Sequence, residues 1–177
     1  MNFKVEKSET LYKGKIFNLQ VDQIVYNNGI EGIREIAVHP GGAVVIPLKD
    51  DGKIIMITQY RYPLNQVIIE FPAGKLDNNE DPLKCAVREL EEETGYVAEH
   101  IIKLGTICTA PGFCSELLHL YLASELTPGN LRREEGEEGI EVFEFSVKEI
   151  EDRIRSGEIY DAKSICAFYL AKNLLNQ

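Results

Sequence analysis

Residues Gly74 to Tyr96, GKLDNNEDPLKCAVRELEEETGY, constrain this chain more than any other stretch. Five residues separate Gly74 from Glu80, and seven more precede Arg88-Glu89-Leu90. One residue further on stand Glu92-Glu93, then a spacer and Gly95. Asp81 before Pro82 predicts an N-cap with proline at the first helical position. Leu83, Ala86, Val87 and Leu90 recur at helical spacing and are expected to bury one stripe. Glu89 and Glu93 fall one turn apart at the edge of that stripe, with Glu92 beside them. Carboxylates at that spacing repel unless a cation sits between them. A solvated acidic face is the plain alternative, but it leaves the Gly-Glu-Arg spacing without a reason. Clustered oxygen donors suit a hard cation such as Mg2+ or Mn2+ rather than zinc.

The stretch resembles the signature of the Nudix hydrolases: glycine, five spacers, Glu, seven spacers, Arg-Glu-aliphatic, one spacer, Glu-Glu, one spacer, glycine, aliphatic. Every charged and glycine position of that pattern is filled. Tyr96 stands where the family usually has an aliphatic residue, a packing position whose change leaves the chemistry intact. The resemblance implies loop-helix-loop geometry, divalent-metal binding and hydrolysis of a nucleoside diphosphate linked to another group. Glu89, Glu92 and Glu93 become the metal ligands. Gly74, Glu80, Arg88 and Gly95 become structural residues, and Arg88 can pair with Glu91 or Glu92.

Whole-chain properties agree with a small enzyme. With 177 residues, 44% of them hydrophobic, a single globular domain with a sizeable core is expected. A formal net charge of -10 argues against a nucleic-acid surface, which needs a basic stripe. No apolar run reaches the roughly 18 residues of a membrane span, and the N-terminus, MNFKVEKSETLYKGK, is too polar for a signal peptide. The four cysteines lack metal-site or framework spacing and are expected as reduced thiols in a cytoplasmic protein.

Residues 3 to 38 carry strand signals. Ile16 to Val21 alternates apolar and polar, Asn27-Asn28-Gly29 marks a turn, and Arg34 to Val38 resumes the extended pattern. A β segment this small, residues 1–39, is expected to pack on the main domain, residues 40–177, or on a second subunit. Ala43 to Leu48 is a continuous apolar run suited to a central strand. Asp50-Asp51-Gly52 predicts a hairpin turn into the strand from Lys53 to Tyr60. Val67 to Ala73 then runs directly into the motif. Beyond it, Ile101–Cys108, Leu117–Ala123 and Ile140–Phe145 read as strands.

The segments QYRYP and EFPAGK resemble the ADP-ribose pyrophosphatase branch of the Nudix family. In that branch the Ala73 position gives its backbone carbonyl to the metal, and the Arg61 and Glu70 positions lie at the substrate. Pro111, sixteen residues after Gly95, matches the proline associated with ADP-ribose specificity, and its loop PGFCSE adds Phe113 and Glu116 as substrate candidates. The branch's general base sits two residues before an Ile/Val-Glu-Val strand, which places it at Glu138, or at Glu137 after a one-residue slip. Glu92 and Glu116 are the next candidates. With no tryptophan in the chain, Phe17 or a nearby tyrosine is the candidate to stack on adenine, and Arg34 is a second phosphate or ribose contact.

Two further helices are expected, one with a Ser146/Glu149 capping box and a stop at Gly157, the other capped by Asp161. The second is expected to bury Ile165, Phe168, Tyr169, Ala171 and Leu175. The resemblance implies the Nudix α/β/α sandwich with a mixed sheet, preceded by a small antiparallel β segment. The expected activity is Mg2+-dependent hydrolysis of ADP-ribose to AMP and ribose 5-phosphate by a homodimer whose N-terminal strands border the other subunit's active site. The alternatives are a pyrophosphatase for other nucleoside diphosphate sugars such as GDP-mannose, and a non-catalytic domain that senses nucleotide sugars.

Overall fold

The computed structural model describes residues 2–131 and 139–175. It divides into two compact units, one of residues up to Gly41 together with Cys108–Leu117, the other of Gly42–Ile107 with the residues from Leu118 on. Among the described residues no helix is long and apolar enough to cross a membrane.

The smaller unit is an antiparallel meander of β1 (Phe3–Lys13), β2 (Asn18–Tyr26) and β3 (Glu31–Val38). The turn signal at Asn27-Asn28-Gly29 joins β2 to β3, with Gly29 at φ 81°, a conformation glycine adopts without strain. In these strands only Ile24 is fully buried, while Leu11 and Ile33, and Ile30 just before β3, are exposed. Ile16 and Phe17 precede β2 and are exposed instead of continuing its alternation. The loop after Cys108 belongs to this unit, because Ala37 donates to Phe113 O at 2.8 Å and Ser115 donates to Ala37 O at 3.0 Å.

The larger unit holds two sheets. In one, β4 (Gly42–Pro47) lies between β7 (Ala73–Lys75), antiparallel to it, and β9 (Leu117–Pro128), parallel to it, with β8 (Tyr96–Cys108) beyond β9. The other is antiparallel, with β5 (Ile54–Arg61) between β10 (Glu141–Phe145) and β6 (Gln66–Glu70). The Asp50–Gly52 turn forms as expected, but the hairpin does not. After one bridge, Leu48 to Ile54, the strands part into different sheets. Both are apolar on both faces, so each becomes a central strand with its own partners.

Helix α1 (Pro82–Thr94) covers one face of the mixed sheet through Cys85, Ala86 and Leu90 against Ala43, Val45, Tyr121 and Ala123. On the other face, Val44, Ile46, Leu120 and Leu122 meet β5, α2 (Val147–Ser156) and α3 (Ala162–Leu175). The layers run helix, sheet, helix. The capping box of α2 and its Gly157 stop form as read. Asp161 accepts from Ser164 N–H at 3.0 Å and caps α3. Tyr169 departs from expectation and is 46% exposed, its ring edge-on to Phe168 and under Lys172. The four cysteines are free.

Candidate active site

Helix α1 begins where the sequence places it. Asp81 accepts from Leu83 N–H at 2.9 Å, and Gly95 closes the helix at φ 75° with its N–H on Glu91 O. The buried stripe is rotated from the one read off the sequence. Leu83 and Val87 are 42% and 43% exposed, and the inward face is Cys85, Ala86, Glu89, Leu90 and Glu93. Small Cys85 and Ala86 opposite Ala43 and Ala123 let helix and sheet approach closely. The same rotation carries two glutamates inward.

Glu93, 1% exposed, accepts from Ala73 N–H at 2.8 Å. Glu89, 6% exposed, lies against the bare Cα of Gly74, where a Cβ would stand 1.7 Å from Oε1. Arg88 gathers the rest. Its Nε and Nη2 each donate to Glu80 at 3.1 Å, and Nη1 donates to Glu89 at 2.6 Å and to Glu92 at 3.0 Å. Of the two partners expected for Arg88, Glu92 is the one it holds. Glu91 instead accepts from Asn130 N–H at 3.0 Å, next to the bond from Gly129 N–H to Gly95 O. The Glu80 hydrogen bond is the first cause of the raised Arg88 pKa, and Arg88 in turn holds the Glu80 carboxyl below its usual range. Cys85 donates weakly to Gly74 O, and burial followed by the Glu89 charge pushes its thiol up to about 12.

A family model described as the NUDIX domain matches residues 38–167. The chain belongs to the Nudix family. An ADP-ribose pyrophosphatase of Bacillus subtilis is 42% identical over 165 residues, covering 93% of this chain and 89% of the relative. A methanol dehydrogenase activator of Bacillus methanolicus is 41% identical over 165 residues, with the same shares covered. A solved structure described as an ADP compounds hydrolase superposes with a TM-score of 0.87 at 21% identity, covering 99% of this chain and 95% of that one. It shows that the Nudix fold is shared.

The charged Nudix motif residues therefore gather on one helix face and the loop before it, where Glu80, Glu89 and Glu92 meet the Arg88 guanidinium and Glu93 meets Ala73 N–H. Among the described residues no three His, Cys, Asp or Glu side chains form a preassembled metal cage. The donor set, all oxygen and in excess of its cation, fits a hard divalent ion.

A second cluster stands at the ends of β5 and β6. Arg61 Nε donates to Glu70 Oε2 at 3.3 Å and its Nη2 lies 2.6 Å from Oε1, an ion pair on a carboxylate that is 1% exposed. Lys163 of α3 also pairs with Glu70. The sequence reading missed Lys163. A lysine in the first turn of a helix opposes the helix dipole, and that was the available signal.

The remaining candidates lie in the smaller unit. Glu116 accepts from Thr109 at 2.7 Å and lies 3.3 Å from His39 Nδ1, while Phe113 is 63% exposed in the same loop, after Pro111. Phe17 packs on Tyr12 at 6.4 Å between ring centres, and the Arg34 guanidinium lies 5.9 Å from the centre of the Tyr26 ring. Glu137 and Glu138 lie outside the described residues.

Proposed function

We propose that this chain hydrolyses the pyrophosphate bond of ADP-ribose, giving AMP and ribose 5-phosphate, with Mg2+ as its metal. One observation carries the reading: an intact Nudix motif folded so that Gly74 makes room for Glu89 while Arg88 gathers Glu80, Glu89 and Glu92. Nudix hydrolases generally use a divalent metal. Glu89, Glu92, Glu93 and the Ala73 carbonyl are the groups to hold it. Once bound, such an ion offsets the charge of the substrate's phosphates and polarises phosphorus.

The chain's own groups supply the remainder. Arg88 and Gly74 fix the carboxylates before substrate arrives, so little reorganisation is left to the reaction. Arg61, held by Glu70, offers a guanidinium to a phosphate oxygen. Glu138 is the base that takes the proton of the attacking water, with Glu137, Glu92 and Glu116 following it in order. Phe17 stacks on adenine, Arg34 meets phosphate or ribose, and Pro111, Phe113 and Glu116 shape the substrate side. We also propose a cytoplasmic homodimer joined through the N-terminal strands, where exposed Leu11 and Ile33, with Ile16 and Ile30 in the adjoining turns, support such burial.

The test is a panel of nucleoside diphosphate sugars, with products identified, in Mg2+ and again in EDTA. AMP and ribose 5-phosphate from ADP-ribose, lost in EDTA, support the reading. Preference for GDP-mannose moves the substrate to that sugar nucleotide. Binding with no turnover of any member indicates a sensor instead.

A further inference from the structure

The segment Glu70-Phe71-Pro72-Ala73 leads from β6 into the motif, and each residue is fastened separately. Glu70 pairs with Arg61 and Lys163, and Phe71 N–H donates to Ser164 Oγ at 2.8 Å. Pro72 O accepts from Val45 N–H at 3.0 Å, and Ala73 N–H reaches Glu93. Two of these partners, Lys163 and Ser164, come from the opening turn of α3. There Asp161 accepts from Ser164 N–H and Oγ–H, and from Lys163 Nζ at 2.9 Å.

The charges of this corner are unequal in their freedom. A carboxylate as buried as Glu70 is costly unless cations surround it, and it has two. The Lys163 side chain is 13% exposed, enclosed between Glu70 and Asp161. Arg61 is 36% exposed; its Nε donates to Glu70 Oε2, its Nη2 makes an ionic contact with Oε1, and its Nη1 has no partner among the described residues. Gln59 shares the strand face of Arg61, and its Oε1, like Oε1 of Glu70, is buried without a hydrogen-bond partner. Buried polar atoms left over in this way are few in folded proteins and mark places where a ligand or water completes the set.

We propose that Lys163 is a positioning residue for substrate binding. It takes up part of the Glu70 charge and holds that carboxylate in place, so that Arg61 keeps an outward, incompletely neutralised guanidinium for a phosphate oxygen. Lys163 acts through Glu70 and does not touch the substrate. Without its ammonium, Glu70 has Arg61 as its sole cation among the described residues, the corner holding Arg61, Glu70 and Asp161 gains a negative charge, and an arriving phosphate is repelled. The proposal rests on the reading of Arg61 as a phosphate contact.

The experiment is a double-mutant cycle on the full-length protein with Mg2+ and ADP-ribose, using Arg61→Met, Lys163→Met and the pair. Binding of inorganic pyrophosphate by calorimetry runs alongside, giving the same comparison without turnover. Arg61→Met is expected to raise KM by about tenfold or more, and Lys163→Met by about fivefold, with kcat within about twofold. In the Arg61→Met background, Lys163→Met adds less than about twofold, because its route to the substrate is already gone. Lys163→Arg restores KM, since it keeps the cation. If Lys163→Met does not fold, Lys163→Gln replaces it under the same criteria.

Full additivity of the two substitutions would show Lys163 touching substrate itself and overturn the proposal. So would an unchanged KM for Lys163→Met beside a raised one for Arg61→Met. An unchanged KM and pyrophosphate affinity for Arg61→Met refutes the Arg61 reading, and the proposal falls with it. Wild-type turnover of ADP-ribose tests the proposed activity separately.

Discussion

The carboxylate of Glu89 occupies the space that a side chain at Gly74 would fill, since a Cβ there would stand 1.7 Å from Oε1 and 2.0 Å from Cδ. The glycine is required by that close approach and not by its backbone angle, because it is absent from the positive-φ glycines. Gly74→Ala is expected to push Glu89 out of its seat, costing about 1–3 kcal/mol of stability. It should also lower kcat by about 100-fold or more, as misplacement of a catalytic group does. Thermal melts and steady-state rates on the same preparation check both. A kcat within about twofold of wild type would show that Glu89 need not sit against the Gly74 Cα.

Arg88 pairs with Glu80, Glu89 and Glu92 at once, so Arg88→Met removes a cation that three neighbouring carboxylates share. Its side chain is 27% exposed, which tempers the penalty of a fully buried pair. About 1–3 kcal/mol of destabilisation is expected by urea unfolding. Arg88→Lys should recover little, because one ammonium cannot reproduce the fork that holds Glu80 through two nitrogens.

The Glu80 carboxyl has its pKa lowered in the folded state, first by the Arg88 hydrogen bond. A depressed carboxyl contributes stability that is present above its unfolded pKa and lost as pH falls through its folded one. The stability gap between wild type and Glu80→Gln is therefore expected to be full at neutral pH and to shrink in the acid range. Urea midpoints across a pH series check the sign. A gap that widened in acid would contradict the Arg88 pairing.

Much of this corner was legible in the sequence because its signals are local. The Asp81 and Asp161 caps, the Ser146/Glu149 box and the Gly157 stop each depend on residues within about one helical turn, and each forms. Partners distant in sequence were harder to foresee. Nothing near Asp50–Gly52 says that β4 will choose β7 and β9 over β5. The exposure of Leu83 and Val87 follows from the same limit. Spacing gives a helix a period but no absolute rotation, and here the rotation is the one that seats Glu89 and Glu93 inward. The partnership of Lys163 and Glu70 joins residues 93 apart, and neither position announces the other.

Glu92→Gln and Glu93→Gln are expected to lower kcat by orders of magnitude while the melting temperature changes little, since both remove charge needed mainly in the transition state. Glutamine at position 93 still offers a carbonyl oxygen to Ala73 N–H, so the bond at 2.8 Å has a replacement. Circular dichroism and rates of ADP-ribose hydrolysis separate the two effects. Unchanged turnover in either variant would remove that residue from the catalytic set.

Glu138→Gln should lower kcat far more than KM, with Glu137→Gln milder, because a base contributes to proton transfer and little to ground-state binding. Rates from pH 6 to 9 check it. A near-wild-type kcat across that range transfers the role to Glu92 or Glu116.

Cys85 gives a prediction at the alkaline end. Its thiol is fully buried within the motif helix, donates toward Gly74 O, and is pushed up to about 12 by burial and then by the Glu89 charge. Only the thiolate reacts with disulfide reagents, so in the folded protein at pH 8 Cys85 should resist modification. Cys108 and Cys166 are exposed and should label quickly. On unfolding, Cys85 should label as fast as they do. A group whose folded pKa is raised contributes stability below its unfolded value, near 9.0, that is lost as pH climbs toward 12. Wild type should therefore lose stability across that window more steeply than Cys85→Ala. The comparison is one of slopes, because the smaller side chain also leaves a cavity whose cost does not vary with pH. Parallel slopes would mean that the thiol ionises as readily inside the fold as outside it.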